Sequence, residues 1–197
     1  MRTVENRTID LVDLDEEMQL KNCSVTNRRQ RKLLSGVHFE RCRFLTDDFS
    51  TAEWLDCVFS HCDFANFYFE KSILYRNQFK TCKLLGATFI GASFKDTLFT
   101  DCLMTYVNFS DSTLTKTIFE ANKMEETVFQ HVKMHSPTFD RCRIEGADFS
   151  ETALKGLDLS TSEFFTLRID PQRAAGLKIN RFQAAGLVAS FGIKVVD

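Results

Sequence analysis

From Leu34 to Ile169 every fifth residue is apolar. The register runs through Leu34, Phe39, Phe44, Phe49 and Trp54 and continues unbroken to Leu159, Phe164 and Ile169: 28 positions, all apolar, in a chain that is 44% hydrophobic. Chance gives such a run with a probability on the order of 10⁻¹⁰, so the repeat decides the architecture before any local propensity is weighed. A period of five is neither the 3.6 of an α-helix nor the 2 of a flat strand. It predicts a solenoid whose central side chains all point into one shaft.

Two longer periods refine this. Phe recurs every ten residues from Phe39 to Phe149, and Cys42, Cys62, Cys82, Cys102 and Cys142 are spaced by 20 or its multiple, with Asn122 in the gap. A coil of 20 residues with four sides accounts for both, each coil lying about 4.8 Å above the last. The thiols sit two places before a central apolar residue, in a small inward slot. Asp47, Phe67, Asn77, Asn122 and Pro137 occupy the same slot. They predict either a local bulge or a buried polar group bonded to backbone.

The ends depart from the beat. In residues 1–33 it is faint at Val4, Ile9 and Leu14 and slips by one to Leu20 and Val25, which predicts an irregular coil capping the solenoid. Within it the basic 26–33 segment reads as an excursion from the wall. Arg28, Arg29, Arg31 and Lys32 are a candidate partner-contact loop there, against the plainer reading of a solvated charge run. Residues 34–179 form the repeat body. In 180–197, Asn180 suits a helix N-cap and Ala184, Leu187, Val188 and Phe191 share one face; Gly192 ends the helix and Ile193, Val195 and Val196 follow as a short strand. Such a helix either caps the open coil or pairs with a copy of itself.

Composition changes the picture little. Net charge is −2, with residues 35–170 at −6, which gives no strong attraction to nucleic acid; no direct nucleic-acid binding is expected. The N-terminus lacks a signal-peptide pattern and no stretch is long and apolar enough to span a membrane, so a cytoplasmic address with no membrane association is expected. Seven cysteines then read as reduced thiols. The four histidines show no ligand spacing, no nucleophile elbow or phosphate loop appears, and a smooth rod offers no cleft; neither an enzyme nor a cofactor is expected. What stands out is acidic: Glu120 and Asp140, and Glu125 and Glu145, are each 20 apart, with Glu126 beside them. On a rod of duplex width this ridge can imitate phosphates.

The repeating unit, as in Phe39-Glu40-Arg41-Cys42-Arg43-Phe44 and Gly146-Ala147-Asp148-Phe149-Ser150, resembles the pentapeptide-repeat family over about four-fifths of the chain. That resemblance implies an all-β fold, a right-handed quadrilateral parallel β-helix, here with a short C-terminal α-helix. The tail, with Gly176-Leu177-Lys178-Ile179-Asn180-Arg181-Phe182-Gln183-Ala184 and Phe191-Gly192-Ile193-Lys194-Val195-Val196, looks like that of the Qnr and MfpA quinolone-resistance group. It implies a homodimer joined through Phe182, Leu187, Val188, Phe191, Ile193 and Val195. It also implies binding to DNA gyrase or topoisomerase IV as a duplex mimic that protects the enzyme from fluoroquinolones; an interaction scaffold with an unrelated protein partner is the alternative. Proteobacterial members of that group carry two projecting loops, whereas the register from Leu34 to Ile169 has no break to hold one.

Overall fold

The computed structural model describes residues 2–196; Met1 and Asp197, the outermost residues of the expected cap and tail modules, lie outside the described residues. The chain winds as a four-sided parallel β-solenoid followed by one helix. On the face whose inward residues are Phe39, Phe59 and their successors, strands from Arg2–Glu5 to Thr138–Asp140 form an eight-stranded sheet. Leu33–Ser35 to Lys133–His135 form a six-stranded sheet on the Leu34 face. The Phe44 face begins as three strands and continues through single bridges that link Asp63, Lys83, Leu103, Lys123, Arg143 and Glu163. The Phe49 face consists of such bridges from Asp48 to Arg168. Partners such as Phe59 and Phe79, or Leu74 and Phe94, are 20 residues apart, as the sequence periods require.

Most corners place an outward residue in the left-handed region, among them Arg41 at φ 50°, Asp56 at 54° and His61 at 55°. That conformation costs a side-chain-bearing residue about 1–2 kcal/mol. It is offset because the corner N–H then points up to the next coil: Arg41 N donates to Ser60 O at 2.8 Å and His61 N to Lys80 O at 3.0 Å. Inside, phenylalanine rings stack coil on coil, with centroids 4.9 Å apart for Phe59 and Phe79 and 4.7 Å for Phe69 and Phe89. Rings at this offset add to the area they remove from water.

The inward slots resolve in two ways. Asn77 and Asn122 are fully buried, and each bridges two coils: Asn122 Oδ1 accepts from Cys102 N at 2.8 Å while Nδ2 donates to Phe99 O at 2.9 Å, and Asn77 does the same with Cys57 N and Trp54 O. At the other awkward pair, Asp47 turns out to solvent and Phe67 lies half-buried against Phe49 and Phe64. Pro137 is half-buried. All seven thiols are buried and unpaired.

At the N-terminus the coil is already complete but short. Val4 pairs with Leu20 and Leu20 with Phe39, giving coils of 16 and then 19 residues. The basic segment is not an excursion. Asn27 Oδ1 accepts from Arg31 N at 2.7 Å and its Nδ2 donates to Arg31 O at 3.3 Å, which closes a turn that crosses the Phe49 face where other coils place a bridge residue.

The C-terminal helix, α1, spans Arg181–Ser190 with Asn180 as its N-cap in a full capping box with Gln183. It caps the solenoid. Gln183, Gly186 and Leu187 face the last coil, and Gln183 Nε2 donates to Leu159 O at 3.0 Å and Ser162 O at 2.6 Å, which ties the helix to the coil beneath it. The expected strand at Ile193, Val195 and Val196 does not form: this segment has no neighbouring strand to pair with and leaves its side chains exposed.

Candidate functional site

The five carboxylates do not make one ridge. Glu120 and Asp140 are register partners on the Phe39 face, at its edge with the Phe44 face. Glu125, Glu126 and Glu145 lie at the opposite edge of the Phe44 face, and the bridged residues Lys123 and Arg143 run between the two groups. Each carboxylate is also engaged. Arg141 bonds both Glu120 and Asp140, Arg143 lies 3.6 Å from Glu125 and 3.9 Å from Glu163, and Arg168 binds Glu126 and approaches Asp148 at 4.0 Å. Gly146 leaves room for Glu126, since a Cβ there would stand 2.4 Å from Oε1.

Glu145 is set apart from the rest. It accepts from Phe165 N at 2.6 Å, Thr166 N at 3.1 Å and the Thr166 hydroxyl. Desolvation pushes its carboxyl up, but these three hydrogen bonds outweigh it and hold the group below the ordinary value. Its role is to fasten the coil that carries Phe165.

The C-terminal residues divide as well. Leu187 is buried in its own chain and Val188 half-buried, while Phe182, Phe191, Ile193 and Val195 are exposed, Phe182 most of all at 76%. Ile193 and Val195 border an open apolar hollow with Phe165, Ala185 and Ala189. Sequence reasoning passed over Phe165 because it falls one place off the beat; the doublet Phe164-Phe165, one ring for the shaft and one outside it, was the available signal.

In the basic turn, Arg28 and Arg29 are exposed, Lys32 Nζ donates to Thr51 Oγ1 at 2.7 Å, and Arg31 is half-buried with its guanidinium on three carbonyl oxygens. Burial pushes the thiols of Cys42 and Cys142 up to about 11 and that of Cys57 up to about 12, which leaves them unreactive at neutral pH. His131 lies 3.3 Å from Glu151, and among the described residues no three His, Cys, Asp or Glu side chains converge on a metal-sized site. No helix is long and apolar enough to cross a membrane.

No curated protein sequence matches the chain. Among solved structures, a trypsin-treated QnrB1 described as a plasmid-mediated fluoroquinolone resistance protein is 20% identical, over 99% of this chain and 97% of its own, with a TM-score of 0.43. A pentapeptide repeat protein of the Arabidopsis thaliana thylakoid lumen is 26% identical over 57% of this chain and 69% of its own, with a TM-score of 0.34. HetL of the cyanobacterium Nostoc, described as involved in heterocyst differentiation regulation, is 15% identical over 90% and 81%, with a TM-score of 0.23. A family model described as a pentapeptide repeat region matches residues 52–129 and, one coil later, 72–149. The matched residues are those in which the five-residue register builds all four faces, and the chain belongs to the pentapeptide-repeat family.

Proposed function

We propose that the chain is a homodimeric interaction rod that binds a type II topoisomerase, DNA gyrase or topoisomerase IV, in place of a DNA segment and thereby protects it from fluoroquinolones. The observation that carries this reading is the C-terminal module. Its sequence resembles the Qnr and MfpA tail, and with α1 seated on the last coil Phe182 and Phe191 are exposed while Ile193 and Val195 border an open apolar hollow with Phe165. Exposed apolar side chains gathered on one terminal module mark an interface, and a self-complementary one closes as a two-fold dimer. Leu187 holds α1 to its own coil, Val188 lies at the margin, and the four exposed residues meet the partner.

The topoisomerase contact is assigned to Glu120, Glu125, Glu126 and Asp140, with Glu145 supporting the coil above them. Their arginine partners do not forbid this. Exposed ion pairs contribute about 0–1 kcal/mol, so a basic enzyme surface can compete for these carboxylates. A supercoiling assay of gyrase with and without ciprofloxacin tests the reading. Inhibition without drug or rescue with drug, weakened by Glu125→Lys with Glu126→Lys, supports it; no effect of either kind rejects it. Light scattering tests the dimer separately, and a species of 22.7 kDa rejects it.

The second reading, a scaffold for an unrelated protein, is favoured by Leu45, Leu85, Leu103 and Tyr106, all exposed along the Phe44 face and its corner. A dimer inert towards topoisomerase would select it.

A further inference from the structure

The basic turn takes no part in the assembly proposed above, yet it walls a cavity. Where it crosses beneath the Phe49 face it leaves a hollow of about 280 Å³, with Arg28, Arg31 and Lys32 on one side and Thr46, Asp48 and Ser50 on the other. A solvated charge run has no such partner wall.

The hollow is electrostatically unbalanced. Arg31 donates to Leu11 O and Leu14 O, each at 2.7 Å, and to Leu33 O at 2.6 Å, which fixes a half-buried guanidinium in place. Among the described residues no carboxylate oxygen lies within 4 Å of a side-chain nitrogen of Arg28, Arg29, Arg31 or Lys32, although the Asp10 carboxylate accepts from the Arg28 backbone N–H at 2.9 Å. A rigid cation that is partly desolvated and uncompensated projects its field into the adjoining space.

The opposite wall has a free donor. On higher coils the residue in this position donates its N–H to the coil below, Tyr68 to Asp47 O and Thr88 to Phe67 O, each at 2.9 Å. Among the described residues Asp48 N has no backbone acceptor beneath it, because the turn has replaced that bridge. Thr46 and Ser50 add hydroxyls. Two carboxylates oppose an anion: Asp48 in the lining, which accepts from Ser50 N at 2.9 Å and stays ionised, and Asp10 behind the turn, which accepts from Arg28 N and the Thr26 hydroxyl. A singly charged anion gains little against them; a dianion with several acceptor oxygens gains from all three cations at once.

We infer that this hollow binds a terminal phosphate group, carried either by inorganic phosphate or by a phosphomonoester. Arg28 and Lys32 close on its oxygens, Arg31 supplies fixed charge from behind, and the Asp48 N–H and the two hydroxyls fill the remaining acceptors.

The full-length protein, ¹⁵N-labelled, is titrated at constant ionic strength with inorganic phosphate, glycerol phosphate, chloride and a short DNA duplex, following amide shifts by NMR. Saturable shifts at Arg28, Lys32 and Asp48 with one or both phosphate compounds, stronger once pH exceeds about 6 where the dianion forms, are the expected result. Phosphate without glycerol phosphate assigns the free ion, and the converse assigns the monoester. Arg28→Gln with Lys32→Gln should weaken binding about tenfold or more, and Asp48→Asn should tighten it, with thermal melts confirming that both fold. Equal shifts with chloride, preference for the duplex, absence of saturation, or a double variant that binds as well as the wild type would each overturn the assignment.

Discussion

Gly186 rests on the carbonyl group of Phe165 so closely that a Cβ added to the glycine would stand 2.0 Å from the oxygen and 2.9 Å from the carbon. The obstacle is backbone and cannot rotate away. Gly186→Ala therefore lifts α1 from the last coil, which exposes Leu187 and breaks the bonds from Gln183 to Leu159 and Ser162. The expected cost is about 1–3 kcal/mol. Faster amide exchange from Gln183 to Val188 and a lower unfolding midpoint are the readouts; unchanged exchange would mean that the helix is not held at this point.

Glu145 fastens the other side of the same contact, and its effect depends on pH. Because hydrogen bonds hold the folded carboxyl below its ordinary value of 4.5, its contribution is fully present above that pH and is lost as pH falls through the folded value. Glu145→Gln is thus expected to be less stable than the wild type at neutral pH, with the difference shrinking in acid. A stability difference that stays constant from pH 7 down through the carboxylate range would refute the assignment of these bonds to the ionised group.

The shaft was legible because its constraint is periodic: every fifth side chain points inward, and an inward charge has nowhere to go. The two-coil bridge of Asn122 was legible as an anomaly in that period. Other features lie outside any period. The 16-residue first coil is set by Val4 pairing with Leu20, which no spacing in the repeat announces. The ridge failed for a different reason. Register fixes which residues are neighbours on adjacent coils, but Arg168 reaches Glu126 from two coils away, and such reach belongs to long flexible side chains rather than to sequence spacing. The missing strand at Ile193 to Val196 shows the limit of propensity, since β-branched residues form a strand only where another strand offers hydrogen bonds.

The seven cysteines offer a direct probe of the shaft. All are buried, and the Cys42, Cys57 and Cys142 thiols are pushed up to between about 11 and about 12 chiefly by burial. The nucleophile is the thiolate, so neither access nor ionisation favours alkylation of the folded protein. Mass spectrometry after iodoacetamide at neutral pH should find no adducts on the native protein and seven after denaturation. Partial labelling confined to Cys23 and Cys42 would locate fraying at the short first coils, whereas rapid labelling of Cys82 or Cys102 would contradict the closed shaft.

Asn122 interrupts a column of thiols that runs from Cys42 to Cys142 and ends at Ser162, and its surroundings say which replacements the column accepts. The buried Cys102 N–H needs an acceptor and the Phe99 carbonyl a donor, and Asn122 supplies both. One coil below, cysteine meets the same two needs: Cys102 Sγ accepts from Cys82 N at 3.4 Å and donates to Phe79 O at 3.4 Å. Asn122→Cys should therefore fall within about 1 kcal/mol of the wild type, because weaker bonds replace stronger ones in a slot of the right size. Asn122→Ala leaves both backbone groups unpaired and opens a void, at an expected cost of about 2–4 kcal/mol. Asn122→Leu removes the same bonds without the void. If burial alone governed this slot, leucine would match or exceed cysteine in denaturant unfolding; if backbone satisfaction governs it, cysteine stays well above both, and that order is the one the hydrogen bonds require.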